Sequence, residues 1–194
     1  MIRTTIRSLI VVVVTTIIFG GVYPLVVTGI ASVAFSHEAR GSLITSNGKV
    51  IGSELTGQAF ASPRYFHSRP SATAPPYNAG FTTFANLGPT SSALRDQVKG
   101  QVAAVLKAER PYNPGLTVGK IPVDAVTTSG SGVDPGISPA YANLQARRVA
   151  AVRHLPLTRV LQLVQSNTDG RSFSFLGEPA VNVLTLNLAL DKEH

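Results

Sequence analysis

The first 36 residues divide into a short charged end and a long uncharged run. Between Ser8 and Ser36 no residue carries a charge, and branched aliphatic residues dominate. A helix of about 20 apolar residues crosses the roughly 30 Å hydrocarbon layer of a bilayer, so residues 8–36 are predicted to form a transmembrane helix region. A cleaved signal peptide is the alternative, but its apolar core normally runs only about 7–15 residues.

Two glycines and a proline interrupt the middle of this run. Pro24 cannot donate a backbone hydrogen bond and is expected to bend the helix. Gly20 and Gly21 admit a second interpretation, a face on which a helix of another protein packs closely. Gly20, Gly21 and Pro24 are therefore the candidate partner contacts of the span.

The charges at the two ends of the run predict its orientation. Arg3 and Arg7 precede it, whereas no basic cluster follows it. Because basic flanks stay on the cytoplasmic side, residues 1–7 are predicted to be a short cytoplasmic tail and residues 37–194 an extracytoplasmic domain. The chain is expected in the cell (inner) membrane as a single-pass protein.

The start of the domain combines a hairpin signal with a long irregular stretch. Asn47-Gly48, between two short apolar runs, predicts the type I′ turn of a β-hairpin. Residues 53–90 contain five prolines and no clear period. An irregular segment of this length in a compact domain is more often functional than neutral.

Hydrophobic spacing then predicts three helices. One begins near Thr90–Ser92 and ends before Pro111, one begins at Ser138-Pro139, and a short one follows Pro156. The second is expected to bury one face and to leave its arginines more exposed. The buried face is Ala142, Ala146, Val149 and Ala150, and the arginines are Arg147, Arg148 and Arg153.

The C-terminal stretch shows the period-2 alternation of half-buried strands. Phe173 and Phe175 alternate with serines, and leucines recur at every second position from Leu184 to Leu190. With strands at both ends and helices between them, the fold class is α+β: one N-terminal transmembrane helix followed by a small mixed α/β domain.

Composition narrows the classes of function. The net charge of +7 is scattered, without the basic stripe and interleaved aromatics typical of nucleic-acid binders, so no nucleic-acid partner is expected. The absence of cysteine excludes disulfides, thiolate metal sites and cysteine nucleophiles. The four histidines lie far apart and pair with no carboxylate at helical spacing, so no metal site is expected.

The Ser-Gly-Ser-Gly stretch at Ser129–Gly132 is the main candidate for chemistry. A phosphate-binding P-loop needs a lysine directly after its last glycine, and no lysine follows before Lys192. A membrane-anchored extracytoplasmic serine hydrolase using Ser129, Ser131, Asp134 and His154 is the alternative, although the nucleophile-elbow motif is missing.

Several motifs, in order along nearly the whole chain, resemble one family, the C subunit of the Kdp-type potassium-transporting P-type ATPase. They include Gly57-Gln58-Ala59-Phe60, Arg69-Pro70-Ser71-Ala72, Asn86-Leu87-Gly88-Pro89-Thr90, Ser129–Gly132 and Leu176-Gly177-Glu178-Pro179. The resemblance implies a non-catalytic accessory subunit of a high-affinity, ATP-driven potassium uptake pump, which assembles and stabilises the complex. It also implies a catalytic chaperone that raises the ATP affinity of the ATP-hydrolysing subunit.

The same resemblance implies partners and site residues. The partners would be a potassium-conducting, channel-like subunit, the ATP-hydrolysing subunit and membrane lipid. Ser129, Gly130, Ser131 and Gly132 are likened to a nucleotide-binding signature; no cofactor is expected to be firmly bound, with ATP acting through the complex. Arg69, Asn86 and Gly88 join the partner-contact candidates. The predicted orientation places residues 129–132 across the membrane from cytoplasmic ATP, which favours a scaffold role.

Overall fold

The computed structural model describes residues 2–46 and 48–193. The chain divides into two compact units, Met1–Leu43 and Ile44–His194, which are described separately. Asn47, the first turn residue of the predicted hairpin, and His194, one of the histidines considered as metal ligands, lie outside the described residues.

The first unit is helical and its long helix has no buried residue. Helix α1 covers Ile2–Ile17, α2 covers Tyr23–Ala34, and the short α3 covers Ser36–Ala39. Together with the turn between them, α1 and α2 form one helical stretch, Ile2–Ala34, that is long and apolar enough to cross a membrane. The predicted long apolar helix is confirmed, but it begins at Ile2, six residues before Ser8.

The turn between α1 and α2 is π-helical and covers Ile18–Val22, so that it ends two residues before Pro24. A proline ring collides with the carbonyl four residues earlier, here that of Gly20, and cannot donate to it. The wider π turn, closed by the Tyr23 N–H on the Ile18 carbonyl, passes this position without the missing bond. The hydrogen bond that Pro24 cannot make is therefore accommodated by a π turn, whereas the expected bend of the helix stays a prediction.

The second unit contains two small antiparallel sheets. The hairpin is confirmed, with β1 at Leu43–Ser46 and β2 at Lys49–Ser53. The other sheet has the order β3-β5-β4, where β3 is Gly136–Ile137, β4 is Thr168–Asp169 and β5 is Ala180–Asn182. The buried Val181 on the central strand is the Cα partner of both Ile137 and Thr168.

Four helices enclose this sheet's core. They are α4 (Ser92–Glu109), α5 (Pro139–Arg153), α6 (Leu157–Ser166) and α7 (Val183–Leu190), with 3₁₀ turns at Val118–Lys120 and Val123–Ala125. The first three are confirmed close to their predicted boundaries. The Ser138 hydroxyl accepts the Tyr141 N–H at 3.0 Å and so caps α5, as the Ser-Pro pair predicted.

The predicted final strand is wrong, because the alternating leucines lie on α7. The Asn182 side-chain oxygen accepts the N–H groups of Leu184 and Thr185 at 3.1 and 3.2 Å, which starts a helix directly after β5. Packing covers this helix on most of its circumference. A helix that is apolar nearly all round shows no 3.6-residue period, so the leucine spacing was uninformative.

Phe173 and Phe175 are also not on a strand. They lie in a tight turn closed by paired backbone hydrogen bonds of 2.9 Å between Ser172 and Leu176. Phe173 and Ser174 have φ angles of 52° and 68°, and both phenyl rings are exposed. Left-handed backbone at two successive residues bends the chain back and ends the extended pattern.

The exposure expected for two arginines of α5 is wrong as well. Arg148 is only 2% exposed and forms an ion pair with buried Glu109 at 2.8 Å. The Arg153 side chain packs over the Tyr65 ring and pairs with Asp191. Arg147 is exposed, as predicted.

Residues 54–91 form neither a helix nor a named strand, as predicted, yet their centre is deeply buried. Asn187 on α7 accepts the Phe66 N–H and donates to the Phe66 carbonyl, both at 2.9 Å. Gln145 on α5 likewise accepts the His67 N–H at 2.7 Å and donates to the His67 carbonyl at 3.0 Å. Two side-chain amides therefore satisfy the backbone that a neighbouring strand would otherwise pair.

Arg148 completes the attachment of this segment. Its Nη1 donates to the carbonyls of Pro63 and Tyr65, and its Nη2 donates to the side-chain oxygen of Gln145. Since Glu109 accepts from Nε, every nitrogen of the buried guanidinium is hydrogen-bonded. The charge is thereby compensated in the core.

Removal of one amide should measure this attachment. Asn187→Ala leaves the N–H and carbonyl of Phe66 buried without partners, so we expect a loss of about 2–4 kcal/mol of unfolding free energy. Asn143→Ala, an exposed amide on α5, should change it by less than about 0.5 kcal/mol. Urea unfolding in detergent, followed by circular dichroism, gives both values. Equal values would contradict the role of Asn187.

Candidate functional site

The Ser-Gly-Ser-Gly loop is held by its own side chains. The Ser129 hydroxyl accepts the Gly132 N–H at 2.9 Å, and the Ser131 hydroxyl accepts the Val133 N–H at 3.2 Å. Both serines therefore cap the turn that leads into β3.

The loop also contacts the segment around residues 71–83. The Ser71 hydroxyl donates to the Gly132 carbonyl at 2.6 Å, and the Thr83 N–H donates to the Ser131 carbonyl at 3.2 Å. Gly132 has a φ of +75°, and a β carbon there would lie 2.7 Å from the Thr83 carbonyl oxygen. The glycine is needed for this close approach of two backbones.

Arg69 fixes both flanks of the loop. Its Nη1 pairs with Asp134 at 3.1 Å, and its Nη2 donates to the Thr128 carbonyl at 3.3 Å. The second Asp134 oxygen accepts the Gly136 N–H at 3.0 Å. Tyr77 in turn donates its hydroxyl hydrogen to the Arg69 carbonyl. Arg69, predicted as a partner contact, therefore has a role inside the domain.

A cleft of about 280 Å³ brings two of the predicted motifs together. Asn86 and Leu87 line it beside Ser129 and Gly130, and Gln97 on α4 contributes an amide. Asn86 is left-handed, with a φ of 52°. Gly88 is not among the lining residues.

None of the described residues that line this cleft carries a charge. Sites for nucleotide triphosphates neutralise the phosphates with lysine, arginine or a metal. Within Ser129–Gly132, the Gly132 N–H and both serine hydroxyl oxygens already take part in hydrogen bonds inside the domain. The cleft is suited to an uncharged group that forms hydrogen bonds.

The groups considered for a serine hydrolase are not assembled. His154 ends α5, whereas Asp134 lies before β3, ahead of the first residue of α5. The 15 residues of that helix span roughly 22 Å at 1.5 Å per residue. Asp134 is occupied by Arg69. Among residues 2–46 and 48–193, no three metal-ligating side chains form a cluster.

Burial is the largest cause of the shifted pKa values near the site. It raises the pKa of Tyr77 to about 12, and the charge of Asp134 raises it further, whereas a hydrogen bond with Ser68 and the charge of Arg69 lower it. It lowers the pKa of His67, to which the Arg148 charge also contributes. Burial likewise raises the pKa of Glu109 despite the neighbouring guanidinium. These shifts accompany structural roles in the core.

Sequence reasoning missed Gln145, Arg148 and Asn187, the polar residues that attach the long segment. Gln145 lies between Ala142 and Ala146 on a face predicted to be apolar, and all three are buried. A polar residue inside an apolar face is a signal that could have identified Gln145. Asn187 interrupts a leucine-rich run in the same way.

Comparison with known proteins decides the family. The family model described as "KdpC: K+-transporting ATPase, c chain" matches residues 5–192, nearly the whole chain. The chain belongs to the KdpC family.

Curated KdpC subunits are similar over almost their full length. A potassium-transporting ATPase KdpC subunit of Methylococcus capsulatus is 54% identical, with 95% of each chain covered. That of Burkholderia orbicola is 52% identical, covering 97% of this chain and 96% of its own. That of Herminiimonas arsenicoxydans is 49% identical, covering 99% and 100%. The structure thus shows how a KdpC-family chain uses its motifs.

Two glycine substitutions in this loop should show which glycine is required by a close contact and which is not. Gly132→Ala forces a β carbon against the Thr83 carbonyl in a left-handed backbone, so we expect at least about 1–2 kcal/mol of destabilisation. Gly130→Ala enters open space and should change stability by less than about 0.5 kcal/mol. Thermal unfolding in detergent measures the difference, and equally tolerated substitutions would contradict the close approach.

The raised pKa of Tyr77 should appear in alkaline solution. Because the folded pKa of about 12 exceeds the ordinary value of 10.0, the unfolded chain loses its proton first. Stability should therefore fall as pH rises from about 10 to 12, by at most about 1.4 kcal/mol per pH unit from this group. Urea unfolding at several pH values should show a shallower fall in Tyr77→Phe. An equal loss of stability with pH in Tyr77→Phe would contradict the raised pKa of Tyr77.

Proposed function

We propose that this subunit of the potassium-transporting ATPase is a non-catalytic accessory chain that assembles and stabilises the pump. The observation that carries the proposal is how its characteristic motifs are used. Arg69, Ser71 and Ser129–Gly132 hold two loops of the domain together, and no reactive group is placed at their junction among the described residues. A chain built this way serves a complex through the surfaces it presents.

The proposed arrangement has the N-terminus in the cytoplasm and the domain outside. Arg3 and Arg7 before the apolar helix support it, because basic flanks stay cytoplasmic. The partners are a potassium-conducting subunit and an ATP-hydrolysing subunit. Gly20 and Gly21 lie within the π turn, fully in the apolar span, and leave room for a neighbouring helix. Asn86 and Gly88 are the proposed contacts of the domain.

Any effect on ATP affinity is proposed to pass through the complex. The Gly132 N–H and both serine hydroxyl oxygens of the Ser129–Gly132 loop are hydrogen-bonded within the domain, and the adjoining cleft is lined by uncharged residues. A subunit that binds the ATP-bound form of its partner more tightly raises the ATP affinity of that partner by the same factor. This role needs no nucleotide in the domain.

Deletion and reassembly test the accessory role. Cells that lack this chain should lose high-affinity potassium uptake, and the full-length chain should restore it and co-purify with two larger membrane subunits. Ser131→Ala removes the hydroxyl that a hydrolase would need at the cost of one hydrogen bond of the loop, and it should still restore uptake when the variant accumulates to the normal level. Restoration that depends on the Ser131 hydroxyl, or purification of the chain alone, would contradict the proposal.

Orientation can be tested with single cysteines, because the chain has none of its own. Ser131→Cys, at an exposed position, should react with a membrane-impermeant maleimide in intact cells. Thr4→Cys, before the apolar run, should react only after lysis. The opposite labelling pattern would place the domain in the cytoplasm and overturn the arrangement.

A further inference from the structure

Helix α4 gathers positive charges that look scattered in the sequence. Arg95, Lys99, Lys107 and Arg110 are all exposed. At 100° per residue they fall within an arc of about 120° and extend over roughly 22 Å of the helix. Charges that look scattered in the sequence are therefore aligned on one side of α4, without the interleaved aromatics typical of a nucleic-acid binder. Steps of four, eight and three residues hide the stripe in the sequence, because only a helix aligns them.

The charged surface continues beyond the end of the helix. Arg110 Nε donates to the Leu116 carbonyl at 3.2 Å. Leu116 in turn lines a cleft of about 470 Å³ together with the exposed Lys120 and Arg147. We call these six cations the basic face: Arg95, Lys99, Lys107, Arg110, Lys120 and Arg147.

The charges of the basic face are uncompensated by ion pairs. In the described part of the chain, five carboxylates pair with other arginines, namely Arg69, Arg148, Arg153, Arg159 and Arg171. Asp96 is the one acidic residue on the exposed side of α4. Five of the ten carboxylates of the chain are thus paired away from the basic face, and of the acidic residues of α4 only Asp96 lies among its exposed cations.

We propose that the basic face binds the anionic headgroup surface of a lipid bilayer. A cationic helix face is complementary to that surface, and each lysine or arginine near it strengthens binding about fivefold. The chain carries a helix that is long and apolar enough to cross a membrane, so a bilayer would be available to the domain without a diffusional search.

The side chains between the cations favour lipid over a protein partner. Gly100 and Ala103 are exposed among the cations, and Leu106, which lines a cleft with Ala103, Lys107 and Arg110, is half-buried. The described residues of α4 therefore present no aromatic or fully exposed aliphatic anchor at the centre of the face. Protein interfaces concentrate binding energy in such central anchors. Long, flexible basic side chains around small residues can instead reach many headgroups at once. The attraction should fall off within a Debye length of about 8 Å at physiological salt.

The test uses the full-length chain alone in lipid nanodiscs. A fluorophore on Ala103→Cys, in the cysteine-free background, reports the distance of the basic face from headgroup-quencher lipids. We expect quenching to be at least threefold stronger with 30% phosphatidylglycerol than with phosphatidylcholine alone, and to disappear at high salt. A fluorophore on Thr158→Cys, exposed on α6, is the positional control.

Two triple variants with equal loss of charge complete the test. Arg95→Gln with Lys99→Gln and Lys107→Gln should abolish the phosphatidylglycerol-dependent quenching. Lys49→Gln with Arg64→Gln and Lys192→Gln, which neutralises exposed cations elsewhere, should retain it. Equal effects of the two variants, or quenching that ignores lipid charge, would overturn the proposal. So would shielding of Ala103→Cys only in the assembled pump, which would identify an acidic protein surface as the occupant. None of these outcomes bears on whether the chain is needed for potassium uptake.

Discussion

The domain depends on a backbone segment that is buried without belonging to a sheet. Phe66 is fully buried, and every buried N–H and carbonyl needs a partner. Two side-chain amides, on α5 and α7, supply those partners to Phe66 and His67, and the Arg148 guanidinium supplies others. The helices therefore do more than cover an apolar core. They act as the neighbouring strands that this segment lacks, and their polar residues become as necessary to the fold as its leucines.

This attachment explains why the long segment can carry specific loops. Beyond His67 the chain reaches Arg69 and Ser71, which contact the stretch around residues 127–134. A loop anchored at a buried residue loses less entropy when its later residues become ordered. The Ser129–Gly132 loop and the neighbouring cleft thus rest on the same support as the core. Gly132 is accounted for by the close approach of two backbones, and Ser129 and Ser131 by the N–H groups that they accept.

The sequence predicted the elements whose signals are local. The apolar run, the hairpin, and the Ser-Pro start of α5 each depend on residues within a few positions of one another. What could not be predicted depends on distant partners. Arg148 is buried only because Glu109 and two loop carbonyls surround it, and the leucines after Asn182 form a helix because packing covers most of its sides. The candidate site was predicted as motifs, but their mutual contacts were not.

The distribution of charge limits how such a subunit can assist potassium transport. The chain has a net charge of +7, and its domain leaves cations exposed while five of the ten carboxylates of the chain are paired with arginines. A positive surface repels an approaching potassium ion, so the domain cannot concentrate the transported ion by its field. That field is screened beyond about 8 Å in any case. The distribution of charge thus gives no support to a role in attracting the ion, and it agrees with the proposed roles in direct contact with a neighbouring subunit or with lipid.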